Sequence, residues 1–172
     1  MYNAKSRYAL MAVFVISALV SLYFTQYQLA SIAGFLFAFV LYTHYKHSSV
    51  LLASKYFKNA DYDRTEKILA EIENPDRLAK NRRGYYEFMR ANIALQRDDF
   101  ETAEFHFQIA SRFPLGGKND KAFVLIHLAN LALRKKDGER AKAYIEKAKE
   151  LATTTRAQEI IKIIEKEANN LA

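Results

Sequence analysis

The histidines His44, His47, His106 and His127 are the first residues in this chain that invite a chemical reading. His44 and His47 stand three residues apart, a spacing that can put both imidazoles on one face of a helix. A metal site needs three or four converging ligands with outer partners to orient them, and this pair falls short of that. The two read as interfacial histidines, and no metal or cofactor is expected. Gly116-Gly117-Lys118 has the flavour of a phosphate-binding loop, but no strand precedes it, and it reads as a turn between helical units. The chain has no Cys, which removes thiolate ligands, disulfides and a cysteine nucleophile and fits a reducing compartment. No Ser/His/Asp constellation or HExxH motif occurs. No catalytic residue is expected, and the chain does not read as an enzyme.

The elements around these residues fall into two regions of different character. Between Tyr8 and Tyr45 there is no Asp, Glu, Lys or Arg, and every acidic residue of the chain lies beyond Lys46. The uncharged stretch is too long for one ordinary span and breaks at Thr25-Gln26-Tyr27-Gln28. Residues 8–24 and 29–45 each give about 17 residues, at the short end of what crosses a hydrocarbon core. The expectation is a membrane anchor over 1–45, built as a helical hairpin whose backbone groups pair internally, as lipid demands. Tyr8, Tyr23, Tyr27, Tyr42 and Tyr45 cluster at the ends of the runs, where amphipathic rings favour the membrane interface. Ala30, Gly34 and Ala38 share one face of the second run, and Ser17 and Ser21 one face of the first, a pattern that permits close helix packing. A cleaved signal peptide and a single re-entrant segment are weaker readings.

Lys5 and Arg7 precede the first apolar run, Lys46, Lys55 and Lys58 follow the second, and the turn carries no charge. The positive-inside rule then places both flanks in the cytoplasm, making this an integral protein of a plasma or inner membrane. Beyond the anchor, 24 basic residues face 19 acidic ones, a modest excess that suits a mixed surface near anionic lipid. No basic motif with base-stacking aromatics stands out, so no nucleic-acid partner is expected. The densest basic run, Arg77 to Arg83, reads as a solvated helix start or a contact with lipid headgroups.

The second region, 46–172, contains few breakers, since the whole chain has 5 Gly and 2 Pro, and this favours helices over a many-stranded fold. Three segments, starting at Ala53, Ala91 and Ala129, align without gaps at a spacing of 38 residues. Asp61, Asp99 and Asp137 match at the turn, followed by Thr65, Ala103 and Ala141. Leu69, Phe107 and Ile145 then match, and after them Ile72, Ala110 and Ala148. Small residues let paired helices approach, large ones fill the gap between pairs, and each Asp can cap the helix that follows. One pair cannot bury its apolar face alone, so about three stack. Ala157, Ile160, Ile161, Ile164, Ala168 and Leu171 give the final segment an amphipathic helical pattern, expected to cap the stack or, in a second reading, to bind a partner or dimerise.

These residues resemble the tetratricopeptide repeat, most closely in FETAEFHFQIA (Phe100 to Ala110) and ADYDRTEKIL (Ala60 to Leu69). The spacing of 38 exceeds the family's 34, Thr65 replaces the usual Ala, Gly138 replaces the turn aromatic, and Pro114 sits one place early. Extra length is expected around Asn74 to Arg83 and Pro114 to Asp120. The resemblance implies an α-solenoid of repeats at about 46–79, 84–117 and 122–153; with the N-terminal transmembrane hairpin and the closing helix over 154–171 read above, the expected fold is all-α. The resemblance also implies a groove lined by the first helix of each repeat. Ser54, Asn92 and Asn130 align at one groove position, Phe57, Leu95 and Leu133 at a second, and Lys58, Gln96 and Arg134 at a third. Phe88 and Ile126 are further candidates. Such a lining suits an acidic or carboxylate-ended peptide, although Ser54 and Val50 stand where the family's carboxylate clamp needs Asn and Lys. The expected function is a non-catalytic, membrane-anchored adaptor for a protein or peptide partner. The alternative is a structural subunit whose hairpin packs with another membrane protein or with itself.

Overall fold

The computed structural model describes residues 4–47 and 49–171, with side chains over 6–44 and 49–170. The side chains of Lys5, Tyr45, Lys46, His47 and Leu171, to which the sequence reading gave roles, lie outside the described residues. Among the described residues the chain is all-helical and contains no strand. It divides into two compact units, Met1–Arg82 and Arg83–Ala172.

In the first unit, α1 (Ala4–Tyr23) and α2 (Tyr27–His47) form a hairpin. Thr25 takes a left-handed conformation (φ 57°), and the Gln26 amide donates back to the Ser21 carbonyl at 2.8 Å, which closes the turn. Each helix contains an 18-residue window apolar enough to cross a membrane. The seam between them is formed by the least exposed positions, Arg7, Met11, Phe14, Ala18 and Ser21 against Ala30, Ala33, Phe37, Val40 and His44. Their alternating spacing of three and four keeps one stripe of each helix against the other. α3 (Val50–Lys58) and α4 (Tyr62–Ala70) follow as a short pair, and a 3₁₀ turn at Pro75–Arg77 is capped by the Asn74 side chain.

The second unit contains α5 (Lys80–Gln96, from Arg83 on), α6 (Phe100–Arg112), α7 (Lys118–Arg134), α8 (Gly138–Leu151) and α9 (Thr155–Leu171). Its centre is α7, which is buried on several sides and packs against α6, α8 and α9. A helix that is apolar nearly all round belongs inside, and VLIHLANLAL (Val124 to Leu133) has that character. α9 lays Ala157, Ile161, Ile164 and Ala168 on α7 and α8 and turns Ile163 outward.

The turns inside the three helix pairs that follow the hairpin are alike. Ala60, Asp98 and Lys136 are left-handed at φ 57°, 57° and 59°, and the next residue is the Asp that caps the following helix. Asp61, Asp99 and Asp137 accept from the amides of Arg64, Thr102 and Arg140 at 3.2, 3.1 and 3.0 Å, as the spacing predicts. The aligned Ala53, Ala91 and Ala129 are buried, as are Leu69, Phe107 and Ile145. The extra residues of the long period go into length: α5 and α7 each have 17 residues where α3 has 9. They also go into the connection Phe113 to Gly117. That connection lies against Gly84, where an added Cβ would stand 2.8 Å from the Pro114 carbonyl oxygen. Tyr85 fixes the same loop by accepting from the Gly116 amide at 3.1 Å and donating to Asp120 at 2.9 Å.

Candidate functional site

Two buried carboxylates of the second unit, Glu87 and Glu104, have charged partners. Glu87, 1% exposed, meets the Arg83 guanidinium at 2.8 Å and the His106 ring. Glu104 on α6 meets Lys135 and Arg140, which flank the α7–α8 turn, and accepts from Gln108 at 3.1 Å. Burial alone raises the Glu104 pKa, but the Lys135 hydrogen bond and the Arg140 charge outweigh it and hold the carboxyl below its ordinary value. His127 stacks on Phe107 with ring centres 4.8 Å apart, and burial lowers its pKa. His106 and His127 are therefore hydrogen-bonding and packing residues. Among the described residues no group of three His, Asp or Glu side chains could hold a metal ion.

The groove residues separate by repeat. In the first unit Ser54 is partly buried and donates to the Leu51 carbonyl at 3.0 Å. Phe57 meets Tyr62 edge-on at 5.7 Å, and Lys58 is exposed. On α5, Asn92 turns its amide into its own helix and donates to the Phe88 carbonyl at 2.7 Å. Phe88 packs against Phe107, Leu95 leans on the core, and Gln96 is exposed. On α7, Ile126 faces the core, so it acts in packing and offers no open surface. The physical reason is that α7 has neighbours on three sides, which leaves a narrower free stripe than a two-helix repeat would have.

Three of the sequence-derived candidates do come together. Asn130, Leu133 and Arg134 line an open groove of about 390 Å³, completed by Glu167 and Asn170 of α9. Leu133 is the nearly buried apolar element, while Asn130 and Arg134 are exposed. Arg134 is held with its guanidinium 3.7 Å from the centre of the Phe100 ring. That contact orients a planar cation and leaves edge N–H groups for a carboxylate. The two amides offer donors and acceptors together, as an extended peptide backbone requires. Glu167 and Asn170 escaped sequence reasoning. The Asn169-Asn170 pair on an otherwise charged helix face was the available signal.

In the first unit, the seam residues differ from the small-residue set picked from the sequence. Ser21 and Ala30 are partly buried at the seam, whereas Ser17, Gly34 and Ala38 lie on exposed faces. Nothing approaches within 4 Å of a Cβ placed on Gly34. The Ser21 hydroxyl donates to the Ser17 carbonyl at 2.8 Å and so stays within its helix. Comparison with protein-family models, with curated proteins and with solved structures found no match to this chain.

Proposed function

We propose that this chain is a membrane-anchored helical-repeat adaptor. In this reading α1 and α2 cross the bilayer, tetratricopeptide-like helix pairs stack as a solenoid on the cytoplasmic side, and their surface recruits a protein partner without turning over a substrate. The observation that carries the reading is the exposure of the hairpin. Each of its apolar windows is only 11% buried, and side chains such as Leu19 and Phe35 are 62% and 71% exposed. Leaving a large apolar side chain in water forgoes about 1.5–3 kcal/mol relative to burying it, and lipid removes that cost. Arg7 at the start of the hairpin and Lys55 and Lys58 after it support the cytoplasmic orientation.

The solenoid reading is supported by the recurring left-handed turn and Asp cap at the same aligned positions. The groove of Asn130, Arg134 and Asn170 suits an extended segment ending in, or carrying, a carboxylate. Tethering to the bilayer raises the effective concentration toward membrane-bound partners. Purification of the full-length protein from crosslinked native membranes tests this, with Asn130→Ala plus Arg134→Ala as the control. A partner captured by the native chain and lost in the double variant supports the adaptor. A partner retained in that variant but lost when the hairpin is replaced by an unrelated one points to the second reading, in which the hairpin itself is the binding element. The exposed Ser17, Gly34 and Ala38 favour that second reading, since small residues on a lipid-facing side let another helix approach.

A further inference from the structure

The first unit contains a cleft of about 150 Å³ whose lining is mainly polar, and nothing in the adaptor reading uses it. Tyr8 and His44 form one wall, at the charged end of the hairpin, with the Tyr8 hydroxyl 3.3 Å from the His44 Nε2. Glu71, Glu73, Asn74 and Arg77 form the other. The second wall is built in place. Arg7 donates to the Ser49 hydroxyl at 3.0 Å, and that hydroxyl donates to Glu71 at 3.1 Å. Asn74 accepts from the Asp76 amide at 3.0 Å, fixing the turn that carries Glu73 and Arg77.

The chemistry of the lining selects among ligands. A simple anion would meet two carboxylates. A metal ion would want three converging acidic or imidazole ligands, and although His44, Glu71 and Glu73 share the lining, no group of three placed to hold a metal ion forms among the described residues. A quaternary ammonium would want an aromatic cage, and Tyr8 is the one aromatic side chain of the cleft outside His44. A primary ammonium joined to a phosphate satisfies both halves. Its N–H groups can donate to Glu71 and Glu73, and its phosphate oxygens can accept from Arg77 and the Tyr8 hydroxyl. The level of the cleft also fits, because tyrosines and cationic side chains at the end of a spanning helix lie among the headgroups. We propose that this cleft binds the phosphoethanolamine headgroup of a membrane lipid. The proposal rests on the reading of α1–α2 as membrane-spanning.

The test uses full-length protein in detergent, titrated with short-chain phosphatidylethanolamine, phosphatidylcholine and phosphatidylglycerol and read by native mass spectrometry. The ethanolamine lipid is expected to bind about tenfold tighter than the other two, the worth of roughly one charge-assisted hydrogen bond. Glu73→Gln and Arg77→Ala, both at exposed positions, should each erase most of that preference. Equal binding of the three lipids, or a preference untouched by both variants, overturns the proposal. Soluble phosphoethanolamine binding as tightly as the lipid would overturn the lipid as its source. Alkaline extraction of native membranes tests the underlying reading separately. If the protein is released, the membrane reading fails, and the headgroup assignment stands or falls on whether soluble phosphoethanolamine binds in a Glu73-dependent way.

Discussion

The α1–α2 hairpin and the second unit use the same turn and opposite surfaces. Thr25 and Lys136 both sit in the left-handed region, and the amides of Gln26 and Asp137 both reach back to a carbonyl of the preceding helix, at 2.8 and 3.0 Å. After Lys136 the next residue is an acidic cap, whereas Thr25 is followed by uncharged Gln26. In the hairpin most large apolar side chains, such as Leu19, Phe35 and Phe39, point outward, and a narrow stripe around Met11 and Ala33 forms the seam. In the second unit Phe107, Leu128 and Ile145 point inward and charges line the outside. The helical hairpin is thus a local product of turn geometry, while its setting is chosen by which face carries the hydrocarbon.

The largest expected effect contrasts two phenylalanines. Phe107→Ala should destabilise the second unit by about 3–5 kcal/mol, because Phe107 is fully buried and carries both Phe88 and His127 on its ring. Phe35→Ala should leave chemical denaturation in detergent unchanged, since that ring is 71% exposed. Equal losses at both sites would break the comparison.

Two glycines give the next contrast. Gly84→Ala forces a methyl against the Pro114 carbonyl oxygen and should cost about 1–3 kcal/mol in a melt of the full-length protein. Gly34→Ala meets open space and should be neutral for folding. A loss of self-association or of a captured partner in Gly34→Ala alone would identify its face as a helix-packing surface.

The turns themselves should respond alike. Thr25→Gly and Lys136→Gly each remove a side chain from the left-handed region, and each should stabilise its hairpin by a few tenths to about 1 kcal/mol. A gain at one and a loss at the other, read from thermal midpoints, would show that the two turns are not equivalent.

The smallest effect is one of pH. Burial holds the His127 pKa below its ordinary value, so the unfolded chain takes up this proton first as pH falls. The contribution of His127 is therefore complete above a pH of about 6.5 and declines as pH drops toward the lower folded value. The urea midpoint of native protein should fall between neutral and mildly acidic pH more steeply than that of His127→Gln. Parallel profiles would remove His127 from the titration.

The features legible in the sequence were those carried by contrast. An uncharged stretch ending at Tyr45 and a spacing of 38 residues between Asp61, Asp99 and Asp137 mark the helix pairs and their caps. Within the hairpin that contrast disappears. When nearly every residue is apolar, periodicity cannot say which stripe forms the seam, so the small-residue pattern points to Gly34 and Ala38 while the seam runs through Met11 and Ala33. Gly84 was equally silent, because its constraint comes from a loop about thirty residues later, at Pro114. Asn92 and Asn130 align in register, yet one amide bonds within its helix and the other stands open, a difference set by neighbours and not by spacing.

Glu104 has a bearing on how the second unit comes apart. It grips Lys135 and Arg140 on either side of one turn while belonging to a different helix pair. Opening of the α7–α8 turn therefore strands a carboxylate on α6. Amides of the turn and of α6 are expected to exchange with solvent together instead of fraying pair by pair, which hydrogen exchange would read directly.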